Sequence, residues 1–258
     1  MKNIGAVALN TFREAVRDRV LYNLVFFALL MMGAAILVGQ ISIGIENIVI
    51  VSLGLSAISF IGLLIAIFTG VGLVSKEMDK RTLYALLAKP VRRWEFVTGK
   101  FAGLVLTLTV NTAAMAAGLL LALAYVKHPL ERSDAVVLVA VYFIALKLAI
   151  VVALALLFSC ATSPLLSILY TAGLYIAGNY IQEMRTLRTD LMNPAAAAFM
   201  RRLSYVLPNF DNFDVVGAAA HGHAVPAGLI WHNTQYAALY CAIVLVAASA
   251  VFSRRNLK

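Results

Sequence analysis

Between Lys76 and Lys100 the chain reads KEMDKRTLYALLAKPVRRWEFVTGK, seven Lys/Arg set between two long segments, Asn47 to Ser75 and Phe101 to Val126, that carry no charge. Each flank exceeds the roughly 20 apolar residues that an α-helix needs to cross the hydrocarbon core of a bilayer. A basic loop bounded by two spans belongs on the cytoplasmic face, because short cytoplasmic loops hold the excess of Lys and Arg. Composition points the same way: of 258 residues 62% are hydrophobic and 13% are charged, too little polar surface to clothe a water-soluble core.

Charge-free runs predict an all-α, polytopic membrane protein of about six transmembrane helices, near 20–42, 47–75, 101–126, 135–160, 164–182 and 230–252, forming one transmembrane domain over 1–258. With the basic loop inside, both termini fall inside too. That side then collects fourteen basic residues against five acidic ones, and the outer side six against seven, with Lys147 left within a span. Topology therefore absorbs the whole formal charge of +9, and no nucleic-acid partner is expected.

Residues 1–19 do not read as a secretory leader, since a short apolar run is followed at once by Arg13, Glu14, Arg17, Asp18 and Arg19. Leu9, Phe12, Val16 and Val20 recur at helical spacing with charges opposite, the pattern of an interfacial helix lying among the headgroups. Cys160 and Cys241 show no ligand spacing and are expected as small buried thiols.

Two short helices are predicted within the basic loop, broken at Lys89-Pro90, since proline disfavours helix in the residue before it. Glu77 and Asp79 open the first, where the helix dipole favours acid, and Glu77 pairs with Arg81 at i,i+4. Leu83, Leu86 and Leu87 make an apolar stripe that has to bury itself against lipid, the chain's own spans or another protein. After the break, Trp94, Phe96, Val97 and Phe101 lead into the third span, and Gly99 and Gly103 permit close helix contact.

The FREAVRDRVLYNL helix, the KEMDKRTLYALLAKPVRRWEFVTGKFAGL loop, LPNFDNF before the last span and the terminal FSRRNLK together resemble the permease subunits of type-2 ATP-binding-cassette exporters. The branch they are most similar to is that of multicopper-enzyme maturation, as in nitrous-oxide-reductase assembly. The resemblance covers nearly the whole chain and is most specific from Glu77 to Lys100. It implies that 76–100 is a coupling helix seated in a cleft of a separate cytoplasmic ATPase, with Glu77, Asp79, Arg81, Leu83, Leu86 and Leu87 as the contact. It also implies a prokaryotic cytoplasmic (inner) membrane, and an outer gate at 183–229 between the fifth and sixth spans.

No GxxxxGK[ST] phosphate loop occurs in the chain. ATP and magnesium are accordingly expected on the partner, with no cofactor on this chain. Six spans are half of a usual transporter, so a second copy, a homodimer, or a paralogue is expected. Intramembrane hydrolysis lacks its constellations, since neither HExxH nor GxSxG is present. A non-transporting membrane anchor or assembly scaffold is the alternative, needing only a docking helix.

Lys147 lies midway along 135–160, where an ammonium costs about 2.5–3.5 kcal/mol on insertion scales and calls for compensation. Either it lines a translocation path or it is held by a neighbouring helix, with Asn111 and Asn179 as candidate partners at membrane depth. MRTLRTDLM and PAAAAFMRRLSYVL, separated at Asn193-Pro194, predict short outer helices. His221, His223 and His232 are read as ordinary loop histidines, since no acid or thiol completes a metal site nearby. Substrate is not legible: lipid, peptide, drug, polysaccharide precursor and a sulfur or copper species all remain open.

Overall fold

The computed structural model of the chain describes residues 2–17, 19–41, 45–79, 92–126, 132–181, 183, 202 and 207–254. Among the described residues every regular element is helical: α1 (Lys2–Arg17), α2 (Arg19–Ile41), α3 (Glu46–Asp79), α4 (Arg93–Val126), α5 (Val136–Ala161), α6 (Pro164–Asn179), α7 (Val216–Ala220) and α8 (Ala227–Arg254), with single 3-10 turns at Arg132–Ala135 and Asp211–Phe213. Among the described residues four helices are long and apolar enough to cross a membrane, at Glu46–Gly72, Arg93–Val126, Val136–Ala161 and Ala227–Ser253. Of the remaining predicted spans, α2 has 23 residues and α6 only 16.

The bundle is built around α5, which packs on α3, α4, α6 and α8. Its residues from Ile150 to Leu156 are buried without interruption, so this helix is apolar all round, as a helix enclosed by others must be. With lipid on the outside no hydrophobic force drives helices together, and close packing does so instead. On α3, a Cβ at Gly62 would lie 2.5 Å from Leu148 Cδ1, and one at Gly70 would lie 2.9 Å from Ala155 Cβ. These glycines let α3 approach α5 closely. Threonine hydroxyls inside the bundle bond back to their own helices, Thr107 to the Gly103 carbonyl and Thr112 to the Leu108 carbonyl, each at 2.9 Å, which satisfies them where water is absent.

Two helices overrun the membrane. Both α3 and α4 have 34 residues, about 51 Å at 1.5 Å per residue, against about 30 Å of hydrocarbon. They share the end that carries the basic connection. Glu77 and Asp79 belong to the last turn of α3, not to the start of a separate helix as the sequence predicts, because nothing between Ser75 and Asp79 breaks a helix. Arg81, Leu83, Leu86 and Leu87, and the outer helices expected in 184–192 and 194–207 apart from Arg202 and Leu207, lie outside the described residues.

At the same end α1 docks on α4. Thr11 and Ala15 are buried with Val7 beside them, while Leu9, of the stripe expected among the headgroups, is exposed. A Cβ at Gly103 would sit 2.5 Å from the Ala8 carbonyl oxygen, and one at Gly99 would sit 2.7 Å from Val7 Cβ, so the glycines let α1 lie close against α4, with Phe12 and Val16 half-buried. Lys100, counted among the loop charges in the sequence, is buried here, with Nζ 3.8 Å from the Glu14 carboxylate and 5.8 Å from the Phe96 ring centroid. The start of α4 is closed by Glu95, whose Oε2 accepts from the Arg92 N–H at 3.0 Å, the returning half of a capping box. Arg93 Nη1 donates to the Phe252 and Ser253 carbonyls at 2.8 and 2.9 Å, tying the start of α4 to the end of α8.

Candidate functional site

The turn at Thr162 and Ser163 folds α6 back along α5. Thr162 N–H donates to the Phe158 carbonyl at 2.8 Å and Pro164 opens α6, a position where the missing N–H is no loss. Counting from this turn, Lys147 is fourteen residues back from Ala161 on α5 and Asn179 fifteen on from Pro164 on α6. The two meet, Lys147 Nζ donating to Asn179 Oδ1 at 2.6 Å. Two rings flank the ammonium, Tyr175 at 5.0 Å and Phe210 at 5.7 Å to their centroids, close enough for cation–π attraction.

Here α6 stops, roughly 22 Å from its start at 1.5 Å per residue and so short of a full crossing. The predicted span to 182 is cut at Asn179 because other groups take over the helix end. Asn179 Nδ2 donates to the Tyr175 carbonyl at 2.7 Å, and Phe210 N–H donates to the Gly178 carbonyl at 3.0 Å. A Cβ at Gly178 would lie 2.5 Å from Phe210. The LPNFDNF segment thus fills the space beyond α6, with Phe210 and Phe213 buried. It is held at two further points: Asn209 N–H donates to the Tyr236 hydroxyl at 2.9 Å, and Asn233 Nδ2 donates to the Asn212 carbonyl at 2.6 Å. Non-helical backbone at this depth is tolerated only when protein encloses it, which is how it is found.

Beside Lys147 a cleft of about 460 Å³ opens between α3 and α6, with Ser56, Ser59, Phe60, Asn179 and Asp214 among its walls. Of the sequence candidates, Lys147 and Asn179 are brought together. Asn111 is not: it lies on α4 and donates to the Thr107 carbonyl at 3.1 Å, a bond within its own helix. Ser56, Ser59, Tyr175, Phe210 and Asp214 were not anticipated. Ser56 and Ser59 share one face of a helix at i,i+3, a signal the sequence carried; the arrival of Phe210 and Asp214 depends on a chain segment folding inward, which no local pattern shows.

His221 and His223 stack at 5.8 Å between centroids on an exposed turn where Gly222 has φ 67°. Among the described residues no three of His, Cys, Asp and Glu gather as a metal site would require. Cys160 and Cys241 are buried and share no disulfide.

A chain whose described residues are all helical or irregular, with several membrane-length apolar helices and a lysine buried midway along one of them, is a polytopic membrane protein. More narrowly, residues 5–257 match the ABC-2 family transporter protein, and the chain belongs to that family. It is a permease component of an ABC transporter. Members of this family normally pair with an ABC ATPase and are generally not themselves catalytic. A comparison with curated proteins finds no match.

Proposed function

We propose that this chain is the membrane half of an exporter driven by a separate cytoplasmic ATPase, docked on the connection between α3 and α4. The observation that carries the reading is the overrun of those two helices. Each is about 20 Å longer than the hydrocarbon requires, so the basic connection between them stands clear of the bilayer, where a soluble partner reaches it. The missing phosphate loop requires such a partner if ATP is the energy source. Glu77, Asp79, Arg81, Leu83, Leu86 and Leu87 form the contact in this reading, and a six-span count, with α2 and the short α6 as members and the bilayer thinned around α6, puts both termini on the cytoplasmic side. The likeness around Glu77 to Lys100 supports a place in the multicopper-maturation branch without naming a cargo. Two copies, or a copy and a paralogue, enclose the path in a prokaryotic cytoplasmic membrane. Lys147 and Asn179 face it, and the inward-folded LPNFDNF segment supports an outer gate.

Mild-detergent purification of the tagged full chain from its native membrane, with mass spectrometry of what accompanies it, tests this. An ATPase bearing a phosphate loop, about one per permease, is the expected companion. Repeated recovery of intact chain with no ATPase would instead favour the anchor or scaffold reading.

A further inference from the structure

The cleft between α3 and α6 holds two opposite charges that do not satisfy each other. Lys147 is 8% exposed and has one hydrogen bond, to Asn179, although an ammonium carries three donors. Asp214, an exposed residue that lines the same cleft, accepts from the Val216 N–H at 3.2 Å and, among the described residues, makes no ion pair with Lys147. Hydroxyls stand between apolar walls. Whereas Thr107 and Thr112 return their protons to their own helix, Ser56 and Ser59 make no hydrogen bond to any described residue. Around these polar groups stand Phe60, Leu63, Ile176 and Val216. On the open side Phe60 is 58% and Ile176 59% exposed, so the cleft leads from charged groups to an apolar mouth.

We propose that this cleft binds a zwitterionic amphiphile: an anionic phosphate or carboxylate on Lys147 and the serine hydroxyls, a primary ammonium on Asp214, and apolar chains leaving between Phe60 and Ile176. Charge complementarity selects the occupant. An ammonium within the membrane needs a counter-charge or hydrogen-bonding partners, and the unfilled donors of Lys147 suit an anionic oxygen. A carboxylate lining the same space as the ammonium makes a purely anionic ligand less favourable and a zwitterion more so. The volume is that of a small-ligand site, about 300–1,000 Å³ being usual, and holds a headgroup with its chains outside. The inference deepens the permease reading by naming a ligand class, but its test needs neither ATPase nor transport, so either can fail without the other.

The full chain, purified in detergent, is titrated with dihexanoyl phosphatidylethanolamine, dihexanoyl phosphatidylglycerol and O-phosphoethanolamine, with binding read by thermophoresis. The ethanolamine lipid is expected to bind about tenfold or more tighter than the glycerol lipid, and the chainless headgroup weakest. Lys147→Met should lose both lipids, Lys147→Arg should keep them, and Asp214→Asn should abolish the preference while retaining the glycerol lipid. Each variant is compared at an elution volume matching the parent protein. If Lys147→Met does not fold, Lys147→Arg, Asp214→Asn and Ser59→Ala, which should weaken both lipids, carry the test. Unchanged affinity in Lys147→Met and Asp214→Asn, or in Asp214→Asn and Ser59→Ala, overturns the site. Equal binding of the two lipids overturns the zwitterion, and headgroup binding as tight as the lipid overturns the amphiphile.

Discussion

Lys147 and Gly103 show two ways in which single residues govern this bundle. The first places a charge where lipid cannot solvate it, and the bond to Asn179 offsets part of that cost. A hydrogen bond to a charged group contributes about 1.5–3 kcal/mol. Asn179→Ala should therefore lower stability by about that much, and by less than half as much when Lys147 is already Met, as thermal unfolding of the four proteins in a double-mutant cycle would register. Equal losses in both backgrounds would mean that the pair is not coupled. At Gly103 the issue is volume, because any side chain meets the Ala8 carbonyl and Thr11. Gly103→Leu is expected to cost about 1–3 kcal/mol as overpacking and to free α1, seen as faster proteolysis near the N-terminus. Lys147 was visible from sequence as the sole charge within a span. That Lys100, one residue before the charge-free segment, is buried against Glu14 was not, because its partner comes from another helix.

Among the elements, the long apolar helices were legible almost to the residue, since a run without charge has few alternatives in a membrane. Expected at 135–160 and 230–252, they occur as Val136–Ala161 and Ala227–Arg254. The misreadings fall where helices meet something other than lipid. Glu77 and Asp79 were placed at the start of a separate helix but end α3, and the helix expected to run to 182 ends at Asn179, where Phe210 and Asn179 take its end. Arg93 joins α4 to α8 through two backbone carbonyls. Its replacement by Ala should fray the last turn of α8, with hydrogen exchange at 252–254 accelerated about tenfold, corresponding to about 1.4 kcal/mol; exchange left as it was would show that α8 ends stably without the clamp. On the connection between α3 and α4, Leu86→Glu with Leu87→Glu should abolish ATPase recovery while membrane insertion persists. Retained ATPase binding would move the docking surface elsewhere.

For the whole molecule, the two-copy proposal predicts a definite stoichiometry. Mass photometry of the purified complex should give a particle containing two permeases and two ATPases, and a single permease with its ATPase as the largest species would sink it. The bundle also has unequal halves. At the end carrying the basic connection, continuous helices are locked together by glycine contacts, a buried Lys100 and the Arg93 clamp. Toward the other end, α6 gives way to a chain segment pinned by three hydrogen bonds, to Gly178, Tyr236 and Asn233. Because each of those bonds joins the segment to a different place, and none belongs to a helical ladder, the segment is a stopper rather than a wall. Withdrawing it breaks those three bonds and uncovers Phe210 and Phe213, both buried in the bundle, while the hydrogen-bond ladders of the long helices stay intact.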